Sequence, residues 1–217
     1  MHIVITGGNR GIGLSLIKKY LANGHKVTSF CRQSSPELDS TDVSVISGVD
    51  VTSSESLEKA VATIEPIDIL ISNAGLLIAD SFDKLNFDNI NQQFQVNTLG
   101  PLKLAKACAS KLNVGAKYGI ITSRMGSITD NTSGGQYGYR LSKAAANAVG
   151  KSLSEDFRSQ GVTVLMLHPG YVKTDMTGGS GLIDTTESAD GLFKILNEKG
   201  FESTGTFWHM NGEILPW

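Results

Sequence analysis

Tyr139 and Lys143 stand four residues apart in Tyr139-Arg140-Leu141-Ser142-Lys143, at the head of a segment rich in small residues. On a helix, residues at i and i+4 share one face with Cβ atoms about 5–6 Å apart. A cation beside a phenol favours phenolate and lowers a pKa that starts near ~10. Such a tyrosine can exchange a proton with a carbonyl or alcohol oxygen near neutral pH. The spacing alone fits an idle pair at a helix start better than a catalytic one, so its meaning depends on what surrounds it.

A second candidate is the run Thr6-Gly7-Gly8-Asn9-Arg10-Gly11-Ile12-Gly13. Glycines there permit a tight turn and bring backbone N–H groups close to a diphosphate at a helix N-terminus. The closely paired glycines come last, which departs from G-x-G-x-x-G. The run also overlaps a P-loop pattern from Gly8 to Gly13, but Leu14 stands where a P-loop needs the lysine that reaches the β/γ-phosphates. A nucleoside triphosphatase is excluded.

These residues need elements to position them. Short, near-continuous apolar runs at 2–6, 26–31, 43–48, 67–72, 118–123, 162–168 and 204–208 read as strands buried on both faces of a parallel sheet. Segments of helical period lie between them at 11–23, 53–65, 86–111, 137–160 and 186–199, the second opened by a capping box at Thr52-Ser53-Ser54-Glu55. The alternation predicts an α/β, Rossmann-type, doubly wound parallel sheet of about seven strands with helices on both faces, in one domain over 1–217. Ligands of such sheets bind outside the carboxyl ends of the strands. The loops after Thr6, Cys31, Ser72, Ser123 and His168 should therefore face one crevice. The stretch 174–185, with Gly178-Gly179-Ser180-Gly181, reads as a mobile loop.

Composition narrows the partners. The chain has 217 residues, 40% hydrophobic and 18% charged, and its 19 Lys and Arg do not exceed its 21 Asp and Glu. That leaves no basic footprint for nucleic acid. No apolar run approaches the ~20 residues that span a bilayer, and the start of the chain has no leader character, which predicts a cytoplasmic protein away from membranes. Cys31 and Cys108 form no CxxC pair and read as buried thiols. His2, His25, His168 and His209 show no metal-ligand spacing, so no metal is expected. His168 reads as a strand-end histidine with satisfied hydrogen bonds.

Taken in order, the glycine turn, Ser72-Asn73-Ala74-Gly75, Asn97, Ser123, Tyr139 with Lys143, and Pro169-Gly170 resemble the short-chain dehydrogenase/reductase family over essentially the whole chain. The stretches around Ser123, Tyr139 and His168, and the Leu215-Pro216-Trp217 ending, are similar to sniffer-type carbonyl reductases and C-factor-like relatives. The resemblance implies that Tyr139 is the general acid in reduction and the base in oxidation. It implies that Lys143 holds ribose hydroxyls of the cofactor and depresses the Tyr139 pKa. Ser123 would position the substrate carbonyl, and Asn97 would hold a water linking Lys143 to solvent. Around the cofactor it places Gly7, Asn9, Arg10, Gly11, Ile12 and Gly13 at the diphosphate, and Asp50 and Val51 at the adenine. Asn73, Ala74 and Gly75 would line the channel, with Pro169, Gly170, Val172 and Thr174 at the nicotinamide.

Two departures from the family pattern stand out. The interval 124–138 is a few residues long, which makes Thr122 a competitor of Ser123, and alternation lets only one of them face the crevice. Ser123 fits the pattern better. Ser72 also replaces the asparagine that often precedes Asn73. The end of the second strand, Ser29-Phe30-Cys31-Arg32-Gln33-Ser34, lacks the carboxylate that would accept ribose hydroxyls and repel a 2′-phosphate. Arg32, joined by Arg10, suits that phosphate, so NADP(H) is expected over NAD(H). The expected partner is a small carbonyl or alcohol substrate. Alanine-rich stretches in 86–111 and 137–160 would suit tight packing inside the monomer or, as the resemblance implies, against another subunit of a homodimer or homotetramer. A different class stays open, a nucleotide-sensing protein of C-factor type with little turnover, although the complete set of Asn97, Ser123, Tyr139 and Lys143 favours an enzyme.

Overall fold

A computed structural model describes residues 1–217. Its strands are β1 (His2–Thr6), β2 (Lys26–Phe30), β3 (Ser44–Ile46), β4 (Ile67–Ser72), β5 (Leu112–Ile121), β6 (Thr163–His168) and β7 (Thr206–His209). They form one parallel sheet in the order β3-β2-β1-β4-β5-β6-β7. The chain winds outward from β1 to β3, then returns to the other side of β1 as β4. The loops after β1 and β4 therefore diverge and leave a crevice between them.

Side-chain alternation divides two cores across the sheet. Ile3, Ile5, Ile69, Ile71, Leu165 and Leu167 meet α1 (Gly11–Ala22) and α7 (Thr185–Glu198) on one face. Val4, Leu70, Tyr118, Ile120, Val164 and Met166 meet α3 (Ser54–Ala62), α5 (Gly100–Cys108) and α6 (Tyr137–Asp156) on the other. Both faces of the central strands are dry, which is why these strands read as continuous apolar runs. Helix α6 lies close to the sheet because Gly150 has no side chain; a Cβ there would be 2.3 Å from the Met166 sulfur.

Several expected boundaries move. The helix expected over 86–111 is divided into α4 (Phe87–Phe94), a π-turn (Gln95–Leu99), α5 and a closing 3₁₀ turn (Ala109–Lys111). Pro101 has no N–H for the Asn97 carbonyl, so the regular helical ladder cannot continue there. The Gly100 N–H instead reaches back five residues to the Gln95 carbonyl. Strand β5 begins six residues earlier than expected, at Leu112, through a register shift against β4 and the left-handed Gly115 (φ +77°). A short helix α2 (Pro36–Asp39) was not expected; Ser35 caps it by accepting from the Leu38 N–H at 3.2 Å. The cap of α3 is Ser53, which accepts from the Ser56 N–H, while the Thr52 hydroxyl donates to Asp50.

The stretch 174–185 is more ordered than its glycines suggest. Val172 bridges Ile183, the Leu182 N–H donates to the Tyr171 carbonyl at 2.7 Å, and a 3₁₀ turn spans Asp175–Thr177.

One buried bond ties β5 to the start of α5. The Tyr118 hydroxyl, fully buried, donates to the Pro101 carbonyl at 2.7 Å. Tyr118→Phe should remove this bond, which adds to the carbonyl's place in the helical ladder, and cost about 0.5–1.5 kcal/mol in urea unfolding. Wild-type stability in the variant would mean that the carbonyl does not depend on this donor.

Candidate active site

Strand β1 ends in a turn that bare backbone alone can make. Gly7 (φ +70°) and Gly11 (φ +56°) are left-handed. A Cβ on Gly13 would sit 2.3 Å from the Gly7 carbonyl oxygen, and one on Gly7 would sit 2.9 Å from the Ala74 Cα. The turn is locked to the loop after β4. The Thr6 hydroxyl oxygen accepts from the N–H groups of Asn73 (3.0 Å) and Ala74 (3.1 Å). The Asn73 amide donates to the carbonyls of Thr6 (3.1 Å) and Gly7 (2.9 Å). Helix α1 opens with Arg10 in extended backbone, with no side-chain cap and no acidic residue in its first turn, so its N-terminal dipole is uncompensated. Ile12 is half-buried against the core on the α1 face.

The loop after β2 is fastened to this turn, because the Ser35 hydroxyl donates to the Asn9 carbonyl at 2.7 Å. Arg32 is exposed and forms no ion pair. Arg10 differs, since its guanidinium is 2.7 Å from the Asp175 carboxylate. Asp50 accepts from the N–H and hydroxyl of Thr52, and those bonds, with Arg32 and Lys103 nearby, hold its carboxyl below the usual range. Val51 lies against Gly100, whose Cβ would be 3.3 Å away.

At the other end of the crevice, Tyr139 and Lys143 occupy the first two turns of α6 and are 8% and 4% exposed. The Lys143 ammonium donates to the Ile121 carbonyl at 2.9 Å and lies 5.6 Å from the Tyr139 ring centroid. The Ser123 hydroxyl faces the Tyr139 phenol and accepts from the Met125 N–H at 3.1 Å. Thr122 points the other way, its hydroxyl 3.3 Å from the Lys143 carbonyl. Gly126 rests on α6 directly; a Cβ there would be 2.7 Å from the Lys143 carbonyl carbon. A Cβ on Gly75 would be 3.5 Å from Asn97 Oδ1 and 3.8 Å from Lys143 Nζ, so the loop after β4 reaches the lysine. The Asn97 side chain brackets Leu76 and donates to Ser142 Oγ, so its amide is fully engaged by protein.

The long interval 124–138 does not displace Ser123. The extra residues are extruded at 130–136, where Gly134, Gly135 and Gln136 all have positive φ. The interval is pinned on both sides of that extrusion. The Trp217 carbonyl accepts from Ser127 Oγ (3.0 Å) and the Thr129 N–H (2.9 Å), and the Asp80 carbonyl accepts from the Gln136 N–H. Pro169 and Gly170 follow β6. The Pro169 carbonyl accepts from Ser188 Oγ at 2.6 Å, and Gly170 (φ +89°) lies against Ile183. Val172 is buried, and the Thr174 methyl would be 3.6 Å from a Cβ on Gly11. Ser35, Asp80 and Gln93 escaped the sequence reading, although the Ser35-Pro36 pair is a legible helix start, and Trp217 was read only as part of the chain's ending.

Comparisons with known proteins show what the chain as a whole is similar to. A family model described as short chain dehydrogenase matches residues 1–182. A 1-hydroxy-2-glutathionyl-2-methyl-3-butene dehydrogenase from Rhodococcus sp. is 40% identical over 99% of this chain and 99% of that protein. The C-signal of Myxococcus xanthus is 37% identical over 70% of this chain and 93% of its own length. Among solved structures, the carbonyl reductase Sniffer of D. melanogaster superposes with a TM-score of 0.92 at 31% identity, covering 100% of this chain and 99% of that one. An NADPH-bound carbonyl reductase from chicken fatty liver gives 0.91 at 28% identity, covering 100% and 98%.

Burial dominates the electrostatics and reverses one expectation. It pushes the Tyr139 phenol up to about 12, with the Ser123 hydroxyl acting in the opposite direction, and pushes Lys143 down to about 8. The ammonium is directed at a carbonyl, not at the phenol, so it does not offset the loss of solvent around Tyr139. His168 departs too. Its Nδ1 is buried without a protein partner, and desolvation with His209, Arg124 and Lys143 nearby pushes the ring down to about 3. It stays neutral.

Lys143 gives the site a stability signature. Between pH 8 and the ordinary lysine value near ~10.4, the unfolded chain holds a proton that the folded protein has released, so wild-type stability rises with pH through that window. Below it both states are charged, and the fold bears the full cost of a buried ammonium. Lys143→Met removes the titrating group. From pH 7 to pH 10 the wild type should gain about 2.5 kcal/mol relative to this variant in urea unfolding. A difference between the two proteins that ignores pH would refute the burial of a titrating cation.

Proposed function

This chain belongs to the short-chain dehydrogenase family of oxidoreductases, and we propose that it is an NADP(H)-dependent enzyme reducing an aldehyde or ketone, or oxidising the matching alcohol. The observation that carries this reading is the meeting of Tyr139, Ser123 and Lys143 at one end of the crevice, with Gly75 against Lys143.

The residues fit a dinucleotide. The floor of the crevice is bare backbone at Gly7 and Gly13, where side chains would collide, and at the left-handed Gly11, and α1 presents an uncapped N-terminus. Gly7, Asn9, Arg10, Gly11, Ile12 and Gly13 would hold the diphosphate, and Asp50 and Val51 the adenine. Asn73, Ala74 and Gly75 would line the middle, and Pro169, Gly170, Val172 and Thr174 the nicotinamide end. When bound, the reduced nicotinamide supplies the hydride. The protein's part is orientation and the proton. Ser123 would hold the carbonyl oxygen and stabilise charge developing on it, and Tyr139 would give that oxygen its proton. A phenol raised to about 12 keeps its proton at neutral pH, which suits the reducing direction. Lys143 would anchor ribose hydroxyls. The Asn97 carbonyl, to which Pro101 can offer no N–H, is the group that would hold a relay water. A second subunit would pack on the apolar outer face of α4 and α6, where Phe87 and Leu141 are exposed.

Similarity to the C-signal supports a second reading, a nucleotide-sensing protein with little turnover. The two readings separate on catalysis. Tyr139→Phe keeps the ring and removes the transferable proton, so turnover of a carbonyl panel should fall ~10²–10⁴-fold with NADPH binding preserved. Near-wild-type reduction by the variant would overturn the mechanism. A wild type that binds NADPH but reduces nothing in the panel would favour the sensor.

Cofactor choice rests on Arg32, which forms no ion pair, and secondarily on Arg10, which Asp175 already holds. A guanidinium matches phosphate oxygens and is never deprotonated. NADPH should therefore be preferred to NADH in kcat/KM, and Arg32→Asp should shrink or reverse that preference. An unchanged ratio would remove Arg32 from the phosphate site.

A further inference from the structure

The segment after Gly75 is held by side chains instead of a sheet neighbour. Asn97 accepts from the Leu76 N–H (2.8 Å) and donates to the Leu76 carbonyl (2.7 Å). Gln93, wholly buried, does the same for Ile78 at 3.0 and 3.2 Å. The spacing matches, because four residues of helix advance about 6 Å and two residues of extended chain advance about 6.6 Å. Two amides on successive helical turns thus copy the edge of a strand.

The next alternate residue is Asp80, and it reaches a different helix. Its carboxylate accepts from the backbone N–H groups of Tyr137 and Gly138, the first two residues of α6, the second at 2.8 Å. Its carbonyl accepts from the Gln136 N–H at 3.2 Å. Gln136, the residue at the cap position, is left-handed (φ +50°) and makes no side-chain cap. The N–H groups at the head of α6 are therefore satisfied by a carboxylate 57 and 58 residues earlier in the chain. Gly138 completes the fit, since a Cβ there would be 2.4 Å from the Gln93 amide and 3.2 Å from the Asp80 carboxylate.

Resting on the oxidoreductase reading, we propose that Asp80 is the positioning residue for the proton donor. It fixes the first turn of α6, and with it Tyr139, in register with the Gly75 segment that borders Lys143. The carboxylate, an anion at a helix N-terminus, is favoured there by the helix dipole as well as by its two hydrogen bonds. The ladder of Asn97, Gln93 and Asp80 makes one rigid piece of the loop after β4 and the head of the catalytic helix. A misplacement of about 1 Å at reacting atoms can lower a rate 10²-fold without weakening binding.

The test compares Asp80→Ala and Asp80→Asn with the wild type. Asp80→Ala should lower kcat for carbonyl reduction ~10–100-fold, while the fluorescence-measured Kd for NADPH stays within about threefold, since no cofactor contact is assigned to Asp80. Asp80→Asn keeps an oxygen that can accept one N–H, and should recover most of the loss. Amide hydrogen exchange, read without substrate, should show reduced protection at 139–143 in Asp80→Ala and unchanged protection at 148–156. An unaltered kcat in Asp80→Ala, a loss confined to KM or NADPH affinity, or unchanged exchange at 139–143 would overturn the proposal. If Asp80→Ala does not fold, Asp80→Asn decides by a smaller effect: a fall in kcat of about 2–5-fold with an unchanged Kd for NADPH supports the proposal, and an unaltered kcat overturns it. If the wild type reduces no carbonyl, the oxidoreductase reading fails, and the exchange measurement still decides the role of Asp80.

Discussion

A lysine 4% exposed, its ammonium hydrogen-bonded to a backbone carbonyl, is the constraint around which this molecule is arranged. Burying a cation is unfavourable unless polar groups meet it. The Ile121 carbonyl is available to it because β5 ends at that residue. Helix α6 must then lie close to the ends of β5 and β6, and its neighbours have no side chains where it passes: Gly126 sits against the Lys143 backbone and Gly150 against Met166. The crevice follows from the same demand. Gly75 reaches the lysine only because the loop after β4 is drawn across by Asn97, and Asn97 points there from a π-turn that Pro101 helps to impose.

The strands were legible because both faces of a parallel sheet are dry. β1 and β4 begin and end where their apolar runs do. β5 was misread at its start because Asn113, Val114 and Gly115 lack that signature, and Gly115 is there for a left-handed turn. The single long helix expected over 86–111 shows what a periodicity argument overlooks. Its apolar spacing continues through the break, and the break is set by a proline and by hydrogen bonds to Leu76, 21 residues earlier.

The site divides in the same way. Its chemical residues were readable because each is tied to a local pattern: glycines before a helix, tyrosine and lysine one turn apart, a serine at a strand end. The residues that hold them in place were not readable. Asp80 acts 57 residues along the chain and Trp217 acts 90 residues back, on Ser127. No local pattern marks a carboxylate destined to cap a distant helix. The expected direction of the Tyr139 pKa failed for a related reason. Helical spacing brings the two side chains near each other, but it does not say that both are removed from water or that the ammonium turns to Ile121.

The two ends of the crevice are held by bonds of different cost to break. At the Tyr139 end the ties are buried or half-buried hydrogen bonds from Asn97, Gln93, Thr122 and Lys143. Breaking one strands a polar group away from water, at about 1–3 kcal/mol each. The chain after β6 is tied to α1 differently. Arg10 meets Asp175 with both side chains more than 70% exposed, and Lys19 meets Asp190 at the surface. Exposed ion pairs contribute roughly 0–1 kcal/mol and weaken with salt. Water can replace either partner there, and a phosphate the carboxylate, at little cost. Tyr139 and Lys143 thus stand on the part of the fold that resists rearrangement. Arg10, in the glycine turn, stands on the part that can exchange its partner, which is the division the proposed site needs if it is to admit a large anionic cofactor without disturbing Tyr139.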